Sequence, residues 1–343
     1  MAEIVRGSIA SAPSCRFVDV VIPTHGRPKL LRRLLTSLAP QIRSSPECGI
    51  IVVNDGTHGP AYSKVIESFD GVAEYIALEY ARGPAHARNI GGRKSQAEFV
   101  IFTDDDCLPP PHWLDWAIAR LGSLPEIDVL GGTTMPPPAG DSPRLIERFN
   151  RALHLYPRPL FWRREMYCLP TANVAVRRSV FLKAGGFDEL FRFAAGEDTE
   201  FFYRLRFSGA RFFIDMQWQT EHPISDGLRS FLRRWYRYGY GNAQHRMRTG
   251  DPFENGIPPD LTLFEILREL PRYVANRRNY VTGRLQFHDE PLSGQEWEGA
   301  FASIASIQRF AYRFGGYRAY RTERLGKLSS SLPTVRPARR SGT

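Results

Sequence analysis

The sequence lacks any apolar run that approaches the roughly twenty residues a membrane-spanning helix needs. Residues 1–14 also lack the apolar core of a secretory signal peptide. We therefore expect a protein without a membrane-spanning segment that stays in the cytoplasm.

Cysteine is scarce, with four in 343 residues. Cys15, Cys48, Cys107 and Cys168 are scattered, and no two of them have the C-x-x-C spacing. The sequence thus indicates neither a zinc knuckle nor a disulfide framework. Cys107, beside a group of acids, is interpreted as a small packing residue.

Recognisable nucleic-acid-binding motifs are also missing, although the chain is basic, with a formal net charge of +10 and a pI near 9.6. The arginines concentrate after residue 140. Such a charge favours polyanions or anionic surfaces as partners without specifying one. Anionic lipid and a phosphorylated substrate explain it equally well, whereas nucleic acid is disfavoured.

Between residues 18 and 130, short β-rich runs alternate with helix-like segments. Each run is nearly continuous in apolar residues, which is typical of strands covered on both faces and predicts a parallel, doubly wound α/β fold. The predicted strands are residues 18–22, 50–53, 75–78 and 99–102, and the predicted helices are residues 30–38, 61–69 and 85–95.

Polar segments follow three of these strands, at residues 23–27, 54–56 and 104–106. Ligands of open parallel sheets bind beyond the carboxyl ends of the strands, so we expect the three segments to meet in one cleft.

The most informative segment is Thr103-Asp104-Asp105-Asp106. Adjacent carboxylates repel one another unless they are well solvated or share a cation. Hard oxygen ligands suit Mg²⁺ or Mn²⁺ better than zinc, and Asp104 and Asp106 are the pair of interest. Taken alone, such an acidic segment is more often a solvated loop.

A Pro-rich break at residues 135–140 precedes a mixed region with a strand at 173–176 and a helix at 197–207. Further helices are predicted at 261–274 and 295–314. The predicted domains are a main domain at 17–225, in two halves at 17–135 and 136–225, a helical extension at 226–328 and a disordered tail at 329–343.

Six short segments stand out in order: VVIPT (20–24), VVNDG (52–56), ARNIG (87–91), TDDD (103–106, a DXD motif), GGFD (185–188) and GED (196–198). With these segments the chain resembles family-2 inverting glycosyltransferases with the GT-A fold, over about residues 17–250. That resemblance implies a Rossmann-like nucleotide-diphospho-sugar transferase fold with a mostly parallel sheet and a C-terminal helical extension. It also implies that residues 17–225 are the catalytic domain, with a nucleotide-binding half at 17–135 and an acceptor-binding half at 136–225.

The resemblance also implies a donor site, in which Thr24, Arg27 and Asp55 lie near the nucleotide base and ribose. Capping of the following helices is the alternative for Thr24 and Asp55. Asn54 stands where the family commonly has an aspartate, so the identity of the bound nucleotide base stays open. The implied substrate contacts are Pro23, Thr24, Arg27, Asp55, Arg88, Asp104, Asp105, Gly132, Asn173 and Glu197, and the implied metal contacts are Asp104, Asp106 and His222.

Several of these residues have a second interpretation. The fork of Arg88 suits a diphosphate or a base edge, or a surface salt bridge. His222 is a metal contact or a structural histidine. Asn173 faces substrate or makes a buried hydrogen bond at a strand end. Gly132 lets the backbone approach the donor or simply forms a turn.

The resemblance implies that Asp198, in the acidic pair that starts a helix, is the general base, and amides of the first helical turn favour ionised carboxylates there. A simple helix cap is the alternative. A divalent cation, Mn²⁺ or Mg²⁺, makes diphosphate a good leaving group without a general acid. Attack opposite the diphosphate inverts the anomeric carbon, so an α-linked donor gives a β-linked product.

Residues 228–238 form a basic amphipathic pattern with Leu228, Phe231, Leu232 and Trp235 at helical spacing. Such a helix lies on an anionic membrane, packs on the catalytic domain or helps to clamp diphosphate, and the sequence does not separate these roles.

The predicted function is transfer of a sugar from a nucleotide sugar, most simply a UDP-sugar, to a hydroxyl of a glycan, lipid-linked or small-molecule acceptor. A sugar-phosphate nucleotidyltransferase is a rival, but residues 23–27 lack its Gly-rich phosphate loop. A non-catalytic protein that binds nucleotide sugar and polyanions is the other.

Overall fold

The computed structural model describes residues 16–139, 144–153, 155–162, 165–223, 227–250, 262–268 and 295–325. The chain divides into two compact units. The sheet unit comprises Met1–Pro137 and Pro157–Pro223, and the helical unit comprises Pro138–Tyr156 and Ile224–Thr343. The predicted acceptor-binding half, residues 136–225, is therefore interrupted by residues 138–156, which belong to the helical unit.

The sheet unit alternates strands and helices as the apolar runs predicted. Its strands are β1 Val18–Thr24, β2 Cys48–Asn54, β3 Ala73–Ala77, β4 Phe99–Phe102, β5 Val129–Met135, β6 Leu160–Trp162, β7 Glu165–Cys168, β8 Val174–Arg177 and β9 Phe212–Glu221. Its helices are α1 Pro28–Ser44, α2 Pro60–Glu67, α3 Pro84–Lys94, α4 Trp113–Ser123, α6 Arg178–Lys183 and α7 Glu197–Phe207, while α5 Leu145–Ala152 lies in the helical unit.

Seven strands form the main sheet in the order β3-β2-β1-β4-β8-β5-β9. The pairs β1 with β2, β1 with β4, β2 with β3 and β5 with β9 are parallel. Strand β8 is antiparallel to both of its neighbours, β4 and β5. The sheet is thus mostly parallel, and β6 and β7 form a separate two-stranded sheet.

Both faces of the main sheet are covered. Every residue of β1, β2 and β4 is buried, because successive side chains enter opposite layers. Val18, Val20 and Ile22 pack in one layer against leucines of α1. Val21 and Val53 pack in the other layer with phenylalanines near and on α7. The predicted strands are continuous runs of apolar residues because their side chains are buried on both faces of the sheet.

The helical unit contains α5, α8 (Leu228–Thr249) and α9 (Gln295–Leu325). Phe149 of α5, Phe231 of α8 and Phe301 of α9 meet in one apolar cluster, with ring centroids 5.8 and 5.4 Å from Phe149. Leu232 and Trp235 pack against the same cluster. Three of the four apolar side chains of the predicted amphipathic helix are therefore covered within their own unit, whereas Leu228 is exposed.

Two predictions on this unit extend beyond the described residues. Of the predicted helix at 261–274, residues 263–268 are helical and residues 269–274 lie outside the description. The predicted helix at 295–314 is α9, which continues to Leu325. Cys15 and the predicted tail at 329–343 also lie outside the described residues.

Among the described helices, none combines the length and the apolar character needed to cross a bilayer.

Candidate active site

Three polar strand ends meet at one edge of the sheet. Strand β1 lies between β2 and β4, with Thr24 opposite Asn54 and Val21 opposite Phe102. The Asp55 N–H donates to the carbonyl oxygen of Thr24 at 2.8 Å. The segments after these strands therefore lie side by side, as parallel topology requires.

Thr24 is held in a chain of hydrogen bonds. Its hydroxyl donates to Asp105 Oδ2 at 2.7 Å, and the Tyr62 hydroxyl lies 3.0 Å from Thr24 Oγ1. The Arg27 N–H donates to the Tyr62 oxygen at 2.8 Å. Helix α1 has Arg27 at its N-cap without a side-chain cap, so capping by Thr24 is ruled out. Tyr62 was not anticipated from the sequence.

Asp55 is buried and accepts two backbone hydrogen bonds, from the N–H groups of Arg82 and Gly83, both at 2.8 Å. Gly83 is the N-cap of α3, whereas the helix that follows Asp55, α2, has Gly59 at its N-cap. The capping alternative for Asp55 is therefore wrong. Asp55 instead fixes the loop from which α3 begins.

Asn54 uses both ends of its amide. Its Oδ1 accepts from the N–H and hydroxyl of Thr57 at 3.1 and 2.6 Å, and its Nδ2 donates to the Tyr75 hydroxyl at 2.7 Å. Nδ2 also donates to the Thr57 carbonyl oxygen. An aspartate has no donor for the Thr57 carbonyl. This loop geometry thus explains why an amide stands at position 54.

The acids after β4 point in different directions. Asp105 is fully buried, and its Oδ1 lies 2.5 Å from Arg27 Nη2. Asp106 Oδ2 accepts from Arg27 Nη1 at 2.7 Å. Burial raises the pKa of Asp105 to about 7, against the opposing charge of Arg27. Arg27 thus supplies positive charge to this acidic corner.

Asp104 and Asp106 face His222, which follows β9. His222 Nε2 lies 3.5 Å from Asp106 Oδ1 and 4.0 Å from Asp104 Oδ2. On its other side, His222 Nδ1 lies 2.9 Å from the carbonyl oxygen of Pro223. A carbonyl only accepts, so Nδ1 carries the proton and Nε2 is directed at the two acids.

Asp106, Cys107 and His222 offer ligand atoms that all lie within 4.8 Å of one another, and Asp104 Oδ2 lies 4.0 Å from His222 Nε2, so this corner could hold a divalent cation. Asp106 Oδ1 is buried and has no hydrogen-bond partner among the described residues, which leaves it able to bind such an ion. Two carboxylates and one imidazole suit Mn²⁺ or Mg²⁺. Cys107 lies close by, but burial raises the pKa of its thiol, which donates to the Ala172 carbonyl at 3.7 Å. Cys107 is thus a neutral packing residue, as expected.

Arg88 links this corner to the acidic pair of α7. Its Nη2 donates to Asp104 Oδ1 at 2.7 Å and its Nη1 to Glu197 Oε1 at 3.0 Å. Arg88 and Glu197 are both buried, so the surface salt bridge considered for Arg88 is wrong. Burial by itself raises the pKa of Asp104, but the charges of Arg88, His222 and Arg27 and the hydrogen bond from Arg88 together outweigh it, and the net pKa is lowered.

Glu197 and Asp198 occupy the first turn of α7, whose N-cap is Gly196. Burial, helped by the charge of Asp198, raises the pKa of Glu197 to about 7. Burial also raises the pKa of Asp198, although the Thr199 N–H donates to Asp198 Oδ1 at 2.7 Å. Burial therefore outweighs the helix amides that were expected to favour ionisation.

The two acids differ in access. Glu197 is buried and paired with Arg88, whereas Asp198 is partly exposed. Among the described residues, only Oδ1 of Asp198 accepts hydrogen bonds, which come from Thr199. Neither acid is the N-cap, so a simple helix cap does not describe them. Asp198 is therefore the more solvent-accessible member of the pair.

Comparison with known proteins agrees with this geometry. Residues 19–185 match the family described as glycosyl transferase family 2. The pre-mycofactocin glycosyltransferase of Mycobacterium tuberculosis is 30% identical over 258 residues, which are 73% of this chain and 52% of that protein. This chain belongs to glycosyltransferase family 2. It spans about half the length, 52%, of that curated relative.

Two solved structures share the fold of this family-2 chain. The mannosyltransferase PcManGT from Pyrobaculum calidifontis, in complex with GDP-Man and Mn²⁺, has a TM-score of 0.53 and 18% identity, covering 93% of this chain and 90% of that one. S. aureus TarS 1–349, in complex with UDP-GlcNAc, has a TM-score of 0.52 and 17% identity, covering 89% and 92%. The predicted GT-A fold is confirmed.

Asn173 serves the core of this glycosyltransferase fold. Its side chain is fully buried, and its Nδ2 donates to the carbonyl oxygens of Thr133 at 3.0 Å and Trp218 at 2.8 Å. Its Oδ1 accepts from Trp113 Nε1 at 3.1 Å. The amide is thus fully engaged within the protein, which favours buried hydrogen bonding over contact with substrate.

Gly132 has a packing role beside Asn173. It lies within β5 rather than in a turn. A Cβ atom there would lie 2.3 Å from Asn173 Nδ2 and 2.5 Å from the Trp218 carbonyl oxygen. The glycine is therefore required by the close approach of β9 and of the Asn173 amide.

Gly132→Ala should lower the free energy of unfolding by about 1–3 kcal/mol, because the added methyl group displaces a buried amide and a backbone carbonyl. Urea unfolding at neutral pH measures the change. Gly122→Ala in α4 is the matched control, since a Cβ there meets nothing within 4 Å and the helix gains propensity. Equal stability of the two variants would contradict this account.

Glu197→Gln should flatten the pH dependence of stability. Its pKa rises from an ordinary 4.5 to about 7 on folding, so between those values the folded protein keeps a proton that the unfolded chain has released. Stability from this group is present at low pH and falls by about 1 kcal/mol per pH unit as pH rises.

Urea unfolding of both proteins between about pH 5 and about pH 7 measures this slope. The Gln variant should lose stability less steeply than the wild type over that range. Glu67→Gln, on the exposed side of α2, is the control and should keep the wild-type slope. Parallel profiles for wild type and Glu197→Gln would contradict the assignment.

Proposed function

We propose that this protein is a metal-dependent, inverting glycosyltransferase that moves a sugar from a nucleotide sugar, most simply a UDP-sugar, to a hydroxyl of a glycan, lipid-linked or small-molecule acceptor. One observation carries the proposal. The buried fork of Arg88 joins the corner of Asp104, Asp106 and His222 to the acidic pair Glu197-Asp198. The two parts of a transferase site therefore lie within the reach of one side chain.

The donor side of the proposal rests on the corner after β4. Asp104, Asp106 and His222 would hold a divalent cation, which when bound neutralises the charge of the departing diphosphate. PcManGT is known with GDP-Man and Mn²⁺, and TarS with UDP-GlcNAc, which supports a nucleotide sugar as donor. Arg27 is 45% exposed and lies beside Asp106, which supports its contact with an anionic donor.

The acceptor side rests on Asp198. In the proposed step the acceptor oxygen bonds to the anomeric carbon and passes its proton to an oxygen of Asp198. The bond from that carbon to the diphosphate breaks, and its electron pair leaves with the phosphate oxygen. A carboxylate whose burial raises its pKa is a stronger base at neutral pH than a solvated one. Base and leaving group act on opposite faces, so configuration inverts.

This chemistry separates the proposal from its rivals. A nucleotidyltransferase needs the Gly-rich phosphate loop that residues 23–27 lack. A protein that only binds nucleotide sugar has no need of a desolvated, partly accessible carboxylate at the start of α7.

Asp198→Asn should lower the turnover number about 10²–10⁴-fold, because the amide has no basic oxygen of comparable strength. Donor binding, measured by calorimetry with a UDP-sugar and Mn²⁺, should change little. Proton coupling constants of the wild-type product should show inversion at the anomeric carbon. A retained configuration, or full turnover by the variant, would refute the assignment of Asp198.

Asp106→Asn should abolish the response to metal. Mn²⁺ with UDP should raise the melting temperature of the wild type by a few degrees, since a ligand at 100 times its Kd adds about 2.7 kcal/mol. The variant should show no such rise, and its transfer rate should match that of wild type with chelator. Asp115→Asn on α4, an exposed acid, is the control that keeps the response.

If Asp106→Asn kept both the Mn²⁺-induced rise in melting temperature and the full transfer rate, the assignment of the metal site to Asp104, Asp106 and His222 would be wrong. The melting measurement reports binding without turnover, so the metal site and the catalytic role of Asp198 are tested separately.

A further inference from the structure

The charge of the chain is divided unequally between its two units. The sheet unit contains 23 Lys and Arg and 23 Asp and Glu. The helical unit contains 23 Lys and Arg but only 13 Asp and Glu, so it carries the whole net charge of +10. The catalytic cleft therefore does not account for the basic character of the protein.

Part of this excess is exposed on the long helices. Arg229 and Arg233 of α8 and Arg318 and Arg321 of α9 are exposed. None of the four forms an ion pair with an acid among the described residues. Two acids of this unit are engaged elsewhere: Glu147 pairs with Arg151 at 3.0 Å, and Glu265 accepts from Thr262 at 2.7 Å.

A cluster of apolar side chains is exposed on the same unit. In the helical turn of residues 263–268, Leu263, Phe264 and Leu267 are 41%, 71% and 49% exposed. Ile266 of the same turn is fully buried in a cluster with Tyr312 and other residues of α8 and α9. The turn is thus anchored by one side chain while three others face outward, with Arg268 exposed beside them.

We propose that the helical unit docks on an anionic phospholipid bilayer, with Leu263, Phe264 and Leu267 inserted at the headgroup level. The arginines of α8 and α9 would then be held by lipid phosphates. A basic surface with protruding apolar side chains is the combination that an anionic bilayer binds. A soluble polyanion matches the arginines but leaves the three apolar side chains unexplained.

The docking surface differs from the one that the sequence pattern suggested. Phe231, Leu232 and Trp235 of α8 are already packed with α5 and α9, so they are not available to lipid. Binding does not depend on the proposed transfer reaction. Its consequence for the full chain is to concentrate the protein at a membrane, where lipid-linked acceptors are found.

Co-sedimentation of the full-length protein with vesicles tests the proposal. Vesicles with equal parts of phosphatidylglycerol and phosphatidylcholine should bind it, and pure phosphatidylcholine should not. Raising the salt from about 0.1 M to about 1 M should weaken binding, because it screens the arginines.

Two variants separate the contributions. The triple variant Leu263→Ser, Phe264→Ser and Leu267→Ser should bind anionic vesicles about tenfold more weakly or worse. The double variant Arg318→Gln and Arg321→Gln should lose about fivefold per arginine. Arg32→Gln with Arg33→Gln, exposed on α1 of the sheet unit, is the matched control and should bind as wild type.

Phe264→Trp provides a readout that does not rest on weakened binding. The emission of the added tryptophan is obtained by subtracting the wild-type spectrum. Its maximum should move to shorter wavelength with anionic vesicles, because the indole enters an apolar layer. Equal binding of the triple variant and wild type, together with no shift for Phe264→Trp, would overturn the proposal. Heparin binding unchanged in the triple variant would then identify a soluble polyanion as the partner.

Discussion

The site depends on one buried interaction, the guanidinium of Arg88 between Asp104 and Glu197. Two carboxylates from distant parts of the chain are held by one rigid fork, and each is desolvated. Removing the guanidinium from such a group leaves uncompensated buried negative charge, which typically costs roughly 3–5 kcal/mol of stability. Arg88 favours the ionised form of both carboxylates, and the net pKa of Asp104 is lowered, whereas burial and the charge of Asp198 raise the pKa of Glu197 to about 7. The two carboxylates that Arg88 joins thus have opposite pKa shifts because their surroundings differ.

Arg88 is placed by the sheet. Asp55, at the end of β2, holds the two backbone N–H groups that precede α3, and Arg88 lies in the second turn of that helix. Thr24, at the end of β1, fixes Asp105, so Asp104 and Asp106 on either side of it face the cleft. Parallel pairing of β2, β1 and β4 is therefore what brings Arg88 to Asp104. The polar side chains at the strand ends thus hydrogen-bond mainly within the protein, and these bonds fix the positions of the groups proposed to contact a donor.

How far the sequence predicts this arrangement depends on the range of the interactions. The strands are evident from the sequence because burial on both faces requires a continuous run of apolar residues within each segment. The outward direction of Asp104 and Asp106 is also local, because successive side chains alternate in direction. The roles of Arg88 and Asn173 are not evident, because their partners are distant. Arg88 meets Glu197 across 109 positions, and Asn173 meets Trp113 across 60. A residue type indicates what a side chain can bond to, while its partner is decided by tertiary packing.

The same limit explains the amphipathic helix. Its periodicity correctly indicates one apolar side, but periodicity carries no information about what covers that side, and here α5 and α9 do. The exposed residues Leu263, Phe264 and Leu267 lie within the described helical residues 263–268, which by themselves are too few to show a period. A balanced sheet unit and a basic helical unit suit different tasks. In a metal site, acids are balanced by an arginine such as Arg27, because a large excess of positive charge there would repel the metal. An anionic surface, in contrast, is bound best by positive charge that no neighbouring acid neutralises.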